Sequence, residues 1–261
     1  KVLASYVKKA TEAGVTHAVF PEGGLSRTGM VGQPKLGILS YIVQAWSPGG
    51  QDVVFVPVSL NYDRVVEDRV LVAAGRSGTR RFRASAPEGI RFTLRYIWRR
   101  MRGDEGRFGV AGVTFGRPVS LSELAGKVGE VADIVETLGQ RLKADIEAAV
   151  PVVTVPLIMT AMLLRHDPLT ASEIAVEIDG IRKSLKGAPP DFSVAAGEAT
   201  ALQRVLDDLA RRDILKKQGE AYQINDRDVA TFYANSLVQY LAADAASVLT
   251  RISHEENLDE T

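Results

Sequence analysis

The residues with the most chemistry in this chain stand together: Pro21-Glu22-Gly23-Gly24-Leu25-Ser26-Arg27-Thr28-Gly29, followed by Pro34 and Lys35. A short apolar run, Ala18 to Phe20, leads into them, so the pattern predicts a strand that ends in a glycine-rich loop. Paired glycines let a backbone approach a ligand closely and adopt positive φ. Ser26 and Thr28 bring hydroxyl donors, and Arg27 brings a planar fork that matches a phosphate or carboxylate. Lys35 adds a second cation. A loop of this composition is suited to a small anionic ligand; its plainer reading is a solvated turn between a strand and a helix.

The rest of the sequence must position that loop. The chain has 261 residues, 46% of them hydrophobic and 25% charged, which is enough for two globular domains. There is no cysteine, hence no disulfide and no thiolate chemistry. The three histidines are far apart in sequence and lack zinc-ligand spacing. Formal charge sums to zero, yet residues 76–107 hold ten arginines against Glu88, Asp104 and Glu105. A basic zone in a neutral chain points to a phosphate-rich ligand or surface rather than to general nucleic-acid binding. The chain opens at Lys1 within a helical pattern and shows no signal peptide, so it reads as part of a longer polypeptide.

Residues 2–13 predict a helix stopped by Gly14, residues 16–20 a strand, and residues 34–46 a helix with Leu36, Leu39, Ile42 and Val43 on one face. Residues 53–60 form an apolar run that predicts a buried strand. A helix over 88–102, a strand over 108–115 and helical residues 123–149 complete an alternation that predicts an α/β layer with largely parallel strands. The pattern changes at Pro151. Residues 150–164 are uncharged and apolar but shorter than the roughly 20 residues of a membrane span, so they predict a buried helix at a domain junction. Helices over 170–186 and 197–212, a hairpin over 214–224 around Gln218-Gly219-Glu220, and a helix over 226–248 follow. The expected division is residues 1–149, an α/β domain, and 150–261, a mostly helical domain with a winged-helix-like hairpin.

The glycine-rich loop resembles a signature block of the glycerol-3-phosphate acyltransferases, Pro-Glu-Gly-Gly-x-Ser-Arg-x-Gly, and agrees with it at every fixed position from Pro21 to Gly29. Leu25 stands where many members carry arginine. Val54-Phe55-Val56-Pro57-Val58-Ser59-Leu60-Asn61-Tyr62-Asp63 resembles the family's fourth block, and Val113-Thr114-Phe115-Gly116-Arg117-Pro118-Val119 echoes a later strand end. The resemblance implies the C-terminal part of an α/β glycerolipid acyltransferase sheet with flanking helices. It implies that Glu22, Gly23, Gly24, Ser26, Arg27, Thr28, Gly29 and Lys35 help hold glycerol 3-phosphate, with Arg27 on its phosphate. It places Val56, Pro57 and Val58 near the acyl chain. The partners it implies are glycerol 3-phosphate and acyl-CoA or acyl carrier protein, with no cofactor or metal, at the cytoplasmic face of a membrane.

The family's chemistry uses a His-x-x-x-x-Asp pair upstream of this block, the histidine as general base on the acceptor hydroxyl. No such pair stands upstream of the block in this chain. His17 precedes Glu22 at a similar spacing, but Glu22 already belongs to the loop, so the spacing is a decoy and the chain alone is expected to transfer no acyl group. Within residues 88–102, Arg91, Arg95 and Arg99 form a stripe beside an apolar face, with Trp98 near the boundary. Such a helix suits an anionic membrane surface, or equally packs on the sheet with solvated arginines. Around residues 167–224 the pattern resembles a winged helix, but its candidate recognition helix mixes Arg204, Arg211 and Arg212 with Asp207 and Asp208, which argues for packing or regulation and against nucleic acid. Two further readings are acylation of dihydroxyacetone phosphate and a non-catalytic winged-helix regulator.

Overall fold

The computed structural model describes residues 2–76, 109–128, 130–165, 167–187, 189–193 and 198–255. In chain order the elements are α1 (Val2–Glu12), α2 (Leu36–Ala45), β1 (Val54–Phe55), β2 (Val58–Tyr62), α3 (Asp68–Arg76), β3 (Ala111–Phe115), β4 (Val119–Ser120), α4 (Leu121–Val128) and α5 (Val131–Ala148). After these come α6 (Thr154–Arg165), β5 (Leu169–Thr170), α7 (Ala171–Ser184), α8 (Ala199–Arg211), β6 (Leu215–Gln218), β7 (Ala221–Ile224), α9 (Arg227–Ala234), a 3-10 helix (Asn235–Tyr240) and α10 (Ala243–Glu255). The chain is therefore mixed α/β with small sheets.

Several elements follow directly from their residues. Leu39, Ile42 and Val43 are the buried face of α2, at the helical spacing their positions require. The hairpin turns at Gly219-Glu220 and pairs Leu215 with Ile224 and Gln218 with Ala221. Thr170 and Glu173 form a reciprocal capping box at the start of α7, satisfying two N–H groups that the first turn leaves unpaired.

The strands depart from the predicted parallel layer. Every ladder between these strands is antiparallel: β1 with β4, β2 with β3, and β7 with both β5 and β6. Residues 16–20 form no ladder among the described residues. The apolar run 53–60 is two strands, not one. Pro57 has no N–H for a ladder, and its carbonyl instead accepts from Gly116 at 2.8 Å.

Strand β2 is also inside-out relative to its apolar pattern. Ser59 and Asn61 are buried, while Val58, Leu60 and Tyr62 are exposed. The cause is what lies beneath. Helix α5 ends there, and its last carbonyls keep lone pairs open to side-chain donors, although Ile146 and Glu147 each also accept one backbone N–H. Ser59 Oγ donates to the Ile146 carbonyl at 2.6 Å, and the Asn61 amide to the Pro151 carbonyl at 2.9 Å. Thr114 of β3 donates to Ala149, and the Tyr240 hydroxyl reaches the Glu147 and Val150 carbonyls. Polar side chains therefore face inward, and the apolar set faces out.

Two cores result. The smaller joins Leu39 and Val43 of α2 to Val119, Leu121 and Ile134, Val135, Leu138 and Leu142 of α5. The larger surrounds α6, in which every residue from Thr154 to Leu163 is buried. Leu71 of α3 belongs to this second core, and Val31, Val65 and Val72 pack against it. No helix among the described residues is long and apolar enough to cross a membrane.

Candidate functional site

The loop from Pro21 to Lys35 is closed on itself. At its base the Lys35 N–H donates to the Pro21 carbonyl at 2.7 Å, and the Gly32 N–H donates to Glu22 Oε2 at 2.9 Å. At its tip Ser26 Oγ donates to the Met30 carbonyl at 2.7 Å and accepts from the Gly29 N–H at 3.0 Å. Thr28 Oγ1 accepts from the Met30 N–H at 3.3 Å. Glu22, Ser26 and Thr28 thus shape the loop from within.

Gly23 shows why one glycine is needed. Its φ is +69°, and a Cβ there would sit 2.8 Å from Lys35 Nζ and 2.9 Å from its Cδ. The lysine side chain lies across the bare backbone, which brings Lys35 and Gly23 together. Among the described residues neither Arg27 nor Lys35 pairs with a carboxylate. Two cations on a closed loop, uncommitted to internal acids, can hold an anion. Gly24 is open, with nothing near its would-be Cβ, and Leu25 and Phe20 are exposed on either side.

The far half of the loop rests on distant elements. Arg27 Nη1 donates to the Ala74 carbonyl of α3 at 3.4 Å, and Gly75 lies beneath the Arg27 backbone. The buried Asn235 donates its amide to the Thr28 carbonyl at 2.8 Å. Gly29, at φ +85°, abuts α9 so closely that a Cβ would fall 1.9 Å from the Phe232 carbonyl oxygen. Sequence reasoning missed Ala74, Phe232 and Asn235. No local signal marks them, because Asn235 and Thr28 are 207 residues apart.

The other singled-out residues lie elsewhere. Val56 and Val58 are exposed, at 50% and 39%, whereas Pro57 is buried on the opposite side, so the three do not line one surface. Val58, Leu60 and Tyr62 oppose Phe115, Val113 and Ala111 and make an apolar face open to solvent. Arg91, Arg95, Trp98 and Arg99 lie outside the described residues. His17 Nε2 is buried with no hydrogen-bond partner in the described structure, and Glu22 is engaged by Gly32 rather than by His17. A cavity of about 540 Å³ opens between α7, α8 and the β6–β7 hairpin, lined in part by Arg182, Gln203, Lys217 and Tyr222; no residue of the loop borders it. Among the described residues no cluster of His, Asp and Glu could hold a metal ion.

Fold and site define a mixed α/β protein with a closed, glycine-rich loop carrying two cations that pair with no carboxylate among the described residues. The sequence profile of the glycerol-3-phosphate acyltransferase C-terminal region matches residues 87–260, more than half of the chain, and the chain belongs to that family. It is similar to the glycerol-3-phosphate acyltransferase of Pseudomonas syringae pv. syringae, at 25% identity over 85% of this chain and 28% of that protein. The same identity holds for the Ectopseudomonas mendocina glycerol-3-phosphate acyltransferase over 98% of this chain and 33% of the relative. The plsB1 protein of Mycobacterium bovis is 30% identical over 68% of this chain and 28% of its own length. The chain thus spans about a third or less of the curated relatives it matches.

Proposed function

We propose that this chain is the acceptor-holding part of a glycerol-3-phosphate 1-O-acyltransferase, which moves a fatty acyl group from acyl-CoA or acyl carrier protein to the sn-1 hydroxyl. The observation that carries this reading is the closed loop at 21–35, with Arg27 and Lys35 paired to no carboxylate among the described residues. Arg27 and Lys35 hold the phosphate of the acceptor, and Glu22, Gly23, Gly24, Ser26, Thr28 and Gly29 keep the loop open to it. The exposed apolar face at Val56, Val58, Leu60 and Phe115 suits an acyl chain. The general base comes from outside these residues, and the arginine-rich segment 88–102 meets an anionic membrane surface.

Titration with glycerol 3-phosphate tests the reading. Binding should weaken about 10- to 100-fold in Arg27→Ala, the cost of one charge-assisted phosphate contact. Glycerol should bind far more weakly than glycerol 3-phosphate, and dihydroxyacetone phosphate measures how much of the recognition is phosphate alone. Glycerol binding as tightly as glycerol 3-phosphate would overturn the assignment. With acyl-CoA present, the chain alone should give no product; turnover lost in His17→Ala would restore His17 as a base.

A second reading concerns the C-terminal part. The order α6, β5, α7, α8, β6, β7, with sheet order β5-β7-β6, favours a winged-helix module. Two arginines at the end of α8 make internal pairs, Arg211 with Asp208 and Arg212 with Asp68, which suits packing rather than DNA. Tight, salt-sensitive duplex binding by the chain would overturn that reading.

A further inference from the structure

The acceptor loop does not hold its own shape at the tip. Ser26 and Thr28 fix the turn internally, but the backbone from Arg27 to Gly29 is placed by residues far along the chain. Asn235 begins the 3-10 helix after α9 and is 3% exposed. A buried amide is costly unless bonded. Its side chain donates to the Thr28 carbonyl at 2.8 Å, and its Cβ closes over Gly29. Gly29 meets the Phe232 carbonyl with no room for a side chain. On the other flank Arg27 bonds to Ala74 of α3. Helix α3 is itself fixed to the C-terminal core by Asp68 with Arg212 and Tyr233, and by Arg76 with Asp228.

We propose that Asn235 is a positioning residue for the acceptor loop: by gripping the Thr28 carbonyl and seating Gly29 on α9, it sets where the Arg27 guanidinium points. The inference rests on the reading of the loop as a glycerol 3-phosphate site. It gives the C-terminal helices a role in acceptor affinity, exerted through the loop. Misplacing a binding group by about 1 Å is enough to lose much of its effect.

The test is a chemical-shift titration of this chain with glycerol 3-phosphate, read at the Gly29 and Met30 amides. Asn235→Asp keeps the size but turns a carboxylate oxygen toward the Thr28 carbonyl. It should weaken binding about 3- to 10-fold, the range of one net hydrogen bond. Asp207→Ala, which loosens the β6–β7 hairpin away from the loop, should lower thermal stability and leave the affinity unchanged. If Asn235→Asp does not fold, Asn235→Ala carries the same expectation. Two results would overturn the proposal alone: wild-type affinity in the Asn235 variants while Arg27→Ala is weakened, or an equal loss in Asp207→Ala. Failure of the wild-type chain to bind glycerol 3-phosphate would instead overturn the reading of the loop, and the proposal with it.

Discussion

The carboxylate of Asp63 accepts the backbone N–H of Val155 at 2.8 Å with one oxygen and that of Val110 at 2.9 Å with the other. Asp63 follows β2, Val110 precedes β3, and Val155 is in the first turn of the buried helix α6. The first N–H groups of a helix need partners from outside it. Thr154 and Val155 find theirs in Asp63, and Pro156 has no N–H to satisfy. An acid that the fourth-block resemblance sets beside a tyrosine is therefore a cap supplied from 92 residues away. Asp63→Ala should cost about 2–4 kcal/mol in urea unfolding, because buried N–H groups lose their acceptor. A change below about 1 kcal/mol would mean that other groups take over the cap.

Burial pushes the Asp63 carboxyl pKa up, against the lowering effect of its backbone hydrogen bonds. Asp207 goes the other way. Desolvation raises it, but hydrogen bonds from Tyr222 and Gln203 and the charge of Lys217 outweigh that and hold it below its usual value of 3.8. A carboxyl depressed in the folded state stabilises fully above its unfolded pKa, and that contribution is lost as pH falls through the folded value. Asp207 is nearly half exposed, so solvent screens the effect and it is modest. The drop in melting temperature between pH 6 and pH 3 should be smaller in Asp207→Asn than in the wild type. An identical drop would remove Asp207 from the acid response.

Arg212 and Asp68 form an ion pair with side chains only 16% and 9% exposed, and the Tyr233 hydroxyl donates to the same carboxylate at 2.8 Å. Burial, then the negative charge of Asp68, pushes the Tyr233 phenol up to about 12. Removing one partner leaves a buried charge, whereas removing both does not. Arg212→Met should cost about 3–5 kcal/mol, and adding Asp68→Leu should recover most of it. A double variant as unstable as the single would show that packing, not charge, sets the loss. A double-mutant cycle by chemical denaturation measures this.

Gly29→Ala should be severe for its size. Its φ of +85° disfavours any side chain, and a Cβ would overlap the Phe232 carbonyl. Backbone must move, so stability should fall by more than about 2 kcal/mol. Gly24→Ala, with open space at its Cβ, should change stability by less than about 1 kcal/mol. Parallel thermal melts of the two variants check the contrast.

Phe115 is 71% exposed on the apolar face it shares with Leu60 and Val113. Apolar surface of this kind promotes association. Phe115→Ser should leave unfolding free energy within about 0.5 kcal/mol and raise the concentration at which the chain stays monomeric by sedimentation. Marked destabilisation would mean that this face packs within the chain.

Much was legible from residue order alone. The loop announces itself because its glycines, hydroxyls and cations are consecutive. The helix ends at Gly14 and at the Ser47–Gly50 break, the hairpin turn at Gly219 and the apolar helix after Pro151 are likewise local: each depends on a residue's own dihedral freedom or on its neighbours' spacing. Other features required the tertiary structure. Strand direction depends on which segments meet, and β2 pairs with β3 across the long stretch between Tyr62 and Ala111. Which face of β2 turns inward was decided by carbonyls at and just past the end of α5, Ile146 and Pro151, which take donors from Ser59 and Asn61 against the apolar pattern of Val58, Leu60 and Tyr62. The residues that seat the acceptor loop, Phe232 and Asn235, look like any others in a helical stretch. They gain their role only because folding closes a separation of about two hundred residues to a single hydrogen bond.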